Sequence, residues 1–262
     1  MSGNVCCQIG RLRYSAPPVT RITVQRRRGR FAGLAPEARR AERRRLLLDA
    51  AFHLLATEGT AGTTVRAVCA AADLNPRYFY EGFASIDELA IAVDDRLSEE
   101  YSAGLVAAMD AAAPDLVSQV RAGTQHTVAF IDDDRRRARI LYVESVGNAA
   151  LNRRRIEAGH DLSAFLQEDA RRRRRAAPEG DAIGALSSVM LVGGISEVLT
   201  AWVEGRIDVT REQLVDDLAA LTIGLIDSAA AAVGRRRDRG TSTGRGQSRA
   251  PATKSSPKRS SS

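Results

Sequence analysis

Residues 63–83 read TTVRAVCAAADLNPRYFYEGF, and this stretch decides the fold. A threonine pair at its start can cap a helix, and the apolar residues that follow recur at helical spacing. Those on the shared apolar face are Val65, Val68, Cys69 and Ala72. The small residues at 70–72 would let a second helix cross closely. The stretch therefore predicts a short amphipathic helix over residues 63–72 that packs against a neighbour.

A tight turn and a second short helix follow. Asp73-Leu74 is expected to form the turn, with Leu74 as a buried plug. Asn75 is a favourable cap, and Pro76 suits the first helical position because its missing N–H needs no partner there. A helix from Pro76 to Phe83 would place Phe79 and Phe83 four residues apart, both facing the core.

The second predicted helix is about two turns long and leaves Arg77, Tyr78 and Tyr80 pointing away from the core. A short exposed helix after a tight turn is what a helix-turn-helix uses to read the major groove. An arginine there can bond guanine or a phosphate, and tyrosine hydroxyls commonly reach phosphate oxygens. The alternative is a purely structural helix pair with a partly buried Tyr-Phe-Tyr cluster. The residues favour DNA binding.

The rest of the chain is predicted to be helical, which makes the fold all-α. Ala, Leu, Arg and Glu dominate it, and β-branched runs flanked by hairpin turns are missing. Pro36-Glu37 opens a first helix, and Gly59 ends it. Two long helices are expected over residues 182–204 and 210–233. Other breaks are expected at Pro114, Asp132–Asp134 and Pro178–Gly180.

Positive charge is concentrated at the two ends of the chain. Residues 1–45 carry a net charge of +10 and residues 235–262 a net charge of +8, which leaves −11 for residues 46–234 out of the total of +7. An acidic body with basic ends suggests a localised basic surface. Residues 1–34 are predicted to form a disordered basic arm, with a mis-assigned start codon as the alternative. Residues 234–262 are predicted to form a disordered basic tail.

Several function classes lack their sequence signals. The three cysteines make no disulfide framework, and no Cys or His spacing suits a metal, so no cofactor is expected. The absence of a nucleophile–base signature and of a Gly-rich phosphate loop argues against an enzyme. No apolar run approaches the ~18 residues that span a bilayer, and the N-terminus has no signal-peptide pattern. A cytoplasmic protein without a membrane partner is expected.

Residues 37–89 resemble the DNA-binding domain of TetR-family repressors. The resemblance rests on a long basic amphipathic helix, the run T-T-V-R-x-V, the run L-N-P-R-Y-F-Y-E-x-F, and S-x-D-E-L opening a fourth helix. It implies an N-terminal three-helix helix-turn-helix domain over residues 35–90. A helical bundle over residues 91–233 would follow, binding an effector and forming the dimer.

The resemblance also implies which residues meet DNA. The expected set is Thr64, Arg66, Asn75, Pro76, Arg77, Tyr78 and Tyr80. Of these, Thr64 and Tyr80 would contact phosphates. Asn75, Arg77 and Tyr78 would lie nearest the bases.

Two positions depart from the family pattern. Asp73 stands where the family usually has Gly, a mild change because Asp tolerates left-handed backbone better than most residues. Ile86 stands where many members have a lysine that meets phosphate. The Arg-rich stretch 39–45 or the N-terminal arm would have to replace that contact.

The second domain carries the expectations about partners. The helix at 182–204 is apolar around most of its circumference and must be covered on several sides, which favours a homodimer over a purely intrachain core. The polar candidates for effector contact are His126, Tyr142 and Glu144.

The expected function is that of a sequence-specific transcriptional regulator, a repressor that a small-molecule effector releases from operator DNA. The alternative is an architectural DNA-binding protein without an effector, which would use the same helices together with both basic ends.

Overall fold

The computed structural model describes residues 35–174 and 181–244, and within these ranges it contains helices and no strand, as the all-α prediction requires. The predicted arm at 1–34, the predicted break at 178–180 and residues 245–262 lie outside the described residues. In chain order the helices are α1 (Pro36–Gly62), α2 (Val65–Ala72), α3 (Pro76–Tyr80), α4 (Ile86–Ala111), α5 (Leu116–Asp132), α6 (Arg136–Ala138), a π-helical turn (Arg139–Glu144), α7 (Ser145–Gly147), α8 (Ala149–Arg174), α9 (Asp181–Val203) and α10 (Arg211–Gly244).

Contacts divide the chain into two compact units. Of the described residues, the first unit contains 35–97 together with 135–154, and the second contains 98–134 and those from 155 onwards. The predicted boundary near residue 90 is therefore close to the first division. The prediction placed segment 135–154 in the second domain, whereas its contacts place it in the first unit.

Helix α1 supplies much of the core of the first unit. Its buried residues are Leu46, Leu47, Ala50, Ala51, Leu55, Ala56 and Gly59. They recur at the helical spacing that the sequence showed, and they pack against α2 and α3. Pro36 occupies the start of the helix, where proline is tolerated.

Gly59 interrupts α1 as predicted, although helical turns continue to Gly62. Its backbone has φ 72° and ψ −175°, a region that is essentially restricted to glycine. The carboxylate of Glu144 closes this turn by accepting a hydrogen bond from the Thr60 N–H at 2.8 Å. Thr63 closes it from the other side, since its hydroxyl donates to the Gly59 carbonyl at 2.7 Å. The turn thus sets where the chain enters α2.

Segment 135–154 is fastened to the first unit by further polar contacts. The Arg139 Nη1 donates to the Thr57 carbonyl of α1 at 3.4 Å, and the Asn148 amide donates to Asp87 at 3.0 Å. The Arg154 guanidinium pairs with Asp95. These contacts join the segment to both the end of α1 and the first turns of α4.

The start of α4 has the cap that the S-x-D-E-L run predicts. The Glu88 N–H donates to the Ser85 hydroxyl at 3.1 Å. In return, the Glu88 carboxylate accepts from the Ala84 N–H at 2.6 Å. The Ser85 hydroxyl caps an amide of the first turn as in a capping box, whereas the Glu88 carboxylate bonds the amide of the residue before the cap.

In the second unit, α10 packs against α5 and α9. Asp115 caps α5 by accepting from the Ser118 N–H at 2.8 Å. The turn between α9 and α10 contains Gly205 at φ 74°, and the indole N–H of Trp202 donates across it to the Val209 carbonyl at 3.0 Å. Trp202 is buried, as expected for a core or interface residue.

The Asp132–Asp134 run ends α5 at the predicted break. Arg211 at the start of α10 pairs with Asp132 at 3.4 Å and with Asp133 at 3.0 Å. Within the described ranges, no cluster of His, Cys, Asp or Glu forms a candidate metal site.

Two predictions about the last helices need correction. Helix α10 continues to Gly244, so helix persists beyond residue 234, where the basic tail was predicted to begin.

Two helical segments, Ala182–Val203 and Arg211–Arg236, are long and apolar enough to cross a membrane, with mean hydropathies of 1.7 and 1.5. This finding contradicts the expectation that no apolar run reaches this length. Length and composition are weak evidence for a span, because core helices of soluble proteins pass the same test.

The substitution Gly59→Ala is expected to destabilise the first unit by about 2 kcal/mol, since the glycine-only backbone geometry must be strained or lost. A Cβ at this position would also lie 2.9 Å from the Glu144 carboxylate. Urea denaturation followed by circular dichroism measures the change. Gly147→Ala is the matched control, because its Cβ would meet nothing within 4 Å. Equal stability of the two variants would contradict the prediction.

Candidate nucleic-acid interface

Helix α2 begins and ends as its sequence predicts. The Thr64 hydroxyl accepts from the Ala67 N–H at 3.2 Å and so caps the N-terminus. At the other end, Asp73 adopts left-handed backbone with φ 54° and ψ 44°, in the position where the family usually has glycine. The N–H of Leu74 then bonds the Cys69 carbonyl at 2.9 Å, which is typical of a helix C-terminus closed by a left-handed residue. Leu74 is half-buried, not the fully buried plug that was expected.

Helix α3 starts where it was predicted to start but is shorter. Asn75 caps it by accepting from the Arg77 N–H at 2.9 Å, and Pro76 occupies its first turn. The helix ends at Tyr80, not at Phe83. The N–H groups of Gly82 and Phe83 both reach the Phe79 carbonyl at 2.9 Å, so a turn completes the segment.

Two phenylalanines anchor α3 to the core. Phe79 is 0% exposed and Phe83 is 2% exposed, and their ring centroids lie 5.9 Å apart. The prediction that both face the core is confirmed. Because burial of such rings is worth several kcal/mol, roughly 3–5 on truncation to Ala, they fix which side of α3 faces outward.

The residues predicted to meet DNA all lie on the outer side of this helix pair. All seven are exposed: Thr64, Arg66, Asn75, Pro76, Arg77, Tyr78 and Tyr80. The Arg77 side chain is 84% exposed, whereas Tyr80 is 64% and Tyr78 37% exposed. Hydrogen-bond donors therefore line the N-terminus of α2 and the length of α3.

Two arginines of α1 contact α3 and the turn that follows it, a role that the sequence did not reveal. The Arg43 guanidinium lies 4.5 Å from the centre of the Tyr78 ring and pairs with Glu81 at 3.0 Å. The Arg44 guanidinium lies 4.3 Å from the centre of the Phe83 ring. Both belong to one Arg-rich run in the sequence. Nothing in the spacing of that run distinguishes these two arginines from their neighbours.

The same end of α1 extends the basic surface. A shallow hollow of about 410 Å³ is lined by Pro36, Glu37, Arg39, Arg40 and Arg43. Ile86, which replaces the usual lysine, is half-buried at the start of α4. Arg39 and Arg40 are among the exposed cations that this helix offers instead.

Cys69 packs inside the helix pair as a small core residue. It is 2% exposed, and burial raises the pKa of its thiol. A buried thiol with a raised pKa is a poor nucleophile.

The three effector-contact candidates do not share one unit. Tyr142 and Glu144 lie in the first unit, whereas His126 lies in the second. The Glu144 carboxylate is already bonded to Thr60 and Arg139, so the structure gives it a structural role. Its assignment as an effector ligand is not supported.

His126 packs in an aromatic cluster between α4 and α5. Its Nε2 lies 3.1 Å from the Tyr101 carbonyl, and its ring centroid is 5.7 Å from that of Tyr101. Tyr101 bonds the Thr127 hydroxyl at 3.0 Å, and burial raises the pKa of its phenol. The cluster leaves little room at Gly104, where a Cβ would lie 2.2 Å from the imidazole.

Comparison with known proteins agrees with this geometry. Residues 47–93 match the family model described as bacterial regulatory proteins, tetR family. No curated protein matches the chain in sequence.

Solved structures share the fold at low sequence identity. The fatty acid degradation regulator FadR from Bacillus halodurans has a TM-score of 0.59 and 19% identity, covering 70% of this chain and 95% of its own. A TetR-like transcriptional regulator from Rhodococcus sp. RHA1 has a TM-score of 0.52 and 23% identity, covering 70% and 94%. The multidrug binding protein EbrR, solved with imidazole, has a TM-score of 0.52 and 19% identity, covering 68% and 94%.

The fold is therefore all-helical with an N-terminal helix-turn-helix, and solved transcriptional regulators share it. Residues 47–93 carry the sequence signature of the TetR family of bacterial regulatory proteins. This family is regulatory.

The substitution Thr64→Ala is expected to lower the free energy of unfolding by about 1 kcal/mol, because the first turn of α2 loses its cap. Thermal and urea unfolding measure this loss. Thr64→Ser keeps a capping hydroxyl and should retain nearly all the stability. A serine variant as unstable as the alanine variant would show that the cap is not what Thr64 contributes.

Proposed function

We propose that this chain is a sequence-specific DNA-binding repressor in which α3 enters the major groove. The observation that carries the proposal is the exposure of all seven predicted contact residues on the outer side of α2 and α3. The buried pair Phe79 and Phe83 supports the same outward face. A helix-turn-helix of this form reads base edges with the N-terminal part of its second helix.

The hydrogen bonds within the helix pair leave specific groups for DNA. The Thr64 hydroxyl accepts from Ala67, so its proton can be donated to a phosphate oxygen. Asn75 uses its carbonyl oxygen as the cap, which leaves its amide to donate to a base acceptor. Tyr80 offers its hydroxyl to a phosphate, while Arg77 can pair with the O6 and N7 of a guanine.

Exposed apolar side chains on the last two helices support a homodimer. Leu186, Val189 and Met190 on α9 are 62%, 52% and 64% exposed, and Leu221 on α10 is 69% exposed. A contiguous patch of exposed apolar side chains marks an interaction site. A second copy with the same surface would cover them by two-fold symmetry. Two α3 helices would then read half-sites about one helical turn, ~34–36 Å, apart.

The proposed control of this repressor is its release from operator DNA when a small-molecule effector binds. The protein is proposed to be cytoplasmic. EbrR is described as a multidrug binding protein complexed with imidazole, and FadR as a regulator of fatty acid degradation. By analogy, an effector of this chain would bind in its second unit. It would release the operator only by binding the DNA-free form more tightly than the DNA-bound form.

In vitro selection from a random DNA pool tests the proposal as a whole. A two-fold symmetric motif would support specific binding by a dimer, whereas recovery of unrelated sequences would contradict it.

The architectural alternative is favoured by the basic ends of the chain. It predicts DNA binding that no metabolite alters in affinity or in melting temperature.

The contact assignments predict different effects for Arg77→Ala and Tyr80→Phe. Arg77→Ala should relax the preference at one base position, since a bidentate guanine contact is worth about 1–3 kcal/mol. Tyr80→Phe should weaken binding to all sequences by a similar factor, because it removes only a phosphate contact. Repeating the selection and measuring mobility shifts with each variant separates the two. If neither variant alters binding, the assignment of α3 as the recognition helix is wrong.

The substitution Met190→Glu should prevent dimerisation, because it would place a charge in the proposed apolar interface. Sedimentation equilibrium is expected to show a dimer for the wild type and a monomer for the variant. Val117→Glu is the matched control, since Val117 is 56% exposed on α5, outside the proposed surface. A dimeric Met190→Glu variant would place the interface elsewhere.

A further inference from the structure

Glu81 lies directly after the proposed recognition helix and is shared by two arginines. Its Oε2 lies 3.0 Å from the Arg43 Nη2. Its Oε1 lies 3.6 Å from the Arg77 Nε. One carboxylate therefore connects the basic end of α1 to the cation that is proposed to read a base.

The two arginines are held to different degrees. Arg43 is 17% exposed and Glu81 31% exposed, and the Arg43 guanidinium also lies over the Tyr78 ring at 4.5 Å. Arg77, by contrast, is 84% exposed. Screening by salt is weaker for partly buried pairs than for exposed ones. Arg43 thus fixes the carboxylate, whereas Arg77 is tethered to it loosely and can exchange partners.

In this arrangement, a phosphate and the edge of a base differ as hydrogen-bond acceptors for Arg77. A phosphate that approached Arg77 would bring its negative charge close to the fixed Glu81 carboxylate, and like charges repel. The O6 and N7 atoms of guanine are neutral acceptors and meet no such repulsion. A fixed anion at this point also opposes general attraction to the DNA backbone, which depends on cations that neutralise phosphates.

We propose that Glu81 determines specificity: it directs Arg77 to base edges and away from phosphates. This inference rests on the proposed DNA-binding function. Glu81 acts through Arg77 and is a positioning residue, with Arg43 as its anchor.

The test compares affinities for two DNA duplexes of equal length. In vitro selection with the full-length wild-type chain supplies the specific duplex, and a mixed-sequence duplex is the other. Fluorescence anisotropy at several salt concentrations then measures the affinity of the wild type and of Glu81→Gln for both. The ratio of the two affinities is the specificity.

Glu81→Gln is expected to bind the mixed-sequence duplex about fivefold more tightly, with a salt slope steeper by up to ~0.9 as Arg77 gains a phosphate. Affinity for the selected duplex should change less than twofold, so the specificity falls. An unchanged specificity would overturn the inference. So would weaker binding to the selected duplex alone, which would instead assign Glu81 to direct recognition of a base.

Two controls keep the result interpretable. In an Arg77→Ala background, Glu81→Gln should no longer change the specificity, because the residue through which it acts is gone. A merely structural or general charge effect would persist in that background and would contradict the inference. Asp216→Asn, which removes one carboxylate from an ion pair with Arg121 in the second unit, should leave both affinities unchanged.

The experiment distinguishes the loss of the role proposed for Glu81 from the loss of the proposed DNA-binding function. If the wild type selects no motif, the proposed DNA-binding function and the role of Glu81 are both contradicted. If the wild type selects a motif and Glu81→Gln retains its specificity, only the role of Glu81 is lost. Melting temperatures of all variants, measured on the same samples, identify any variant whose fold has changed.

Discussion

The hydrogen bond from the Thr60 N–H to the Glu144 carboxylate is the contact on which the geometry of the first unit depends. It closes the left-handed turn at Gly59 at 2.8 Å, and that turn sets the path of the chain into the Thr64 cap of α2. The position of α3 follows from that of α2, because only three residues separate the two helices. A residue 84 positions along the chain thus helps to place α3.

These contacts extend the first unit beyond the helices of the helix-turn-helix and α4. A boundary drawn after the fourth-helix signature would leave out Glu144, Asn148 and Arg154, which all bond to elements within residues 35–97. The segment also packs through apolar side chains, since Ala138, Ile140 and Leu151 are buried and its helical turns contact α1. Hydrogen bonds lose strength steeply as their geometry departs from the optimum. Segment 135–154 therefore adds buried apolar side chains to the first unit and fixes orientation through its polar contacts.

Local features of the site could be predicted from the sequence because their causes lie within a few residues. The Thr64 cap, the Asn75-Pro76 start and the left-handed Asp73 each depend on neighbouring backbone groups. The burial of Phe79 and Phe83 follows from helical spacing. The early end of α3 was missed because the apolar pattern continues into a turn that keeps Phe83 on the same side. The helix past residue 234 was missed because a polar, basic composition resembles that of a disordered tail.

Contacts between distant residues could not be predicted in this way. Arg43 and Glu81 are 38 residues apart, and nothing in the Arg-rich run separates the arginine that stacks on Tyr78 from those that face solvent. A count of positive charge overestimates the cations available to DNA for the same reason, since Arg43 and Arg44 are engaged with the α3 segment. The basic surface of the first unit then depends on which arginines the fold leaves exposed, among them Arg66, Arg77 and those at the outer end of α1. Net charge governs general attraction to nucleic acid, but a sequence is read by contacts to base edges, which depend on where individual side chains are held.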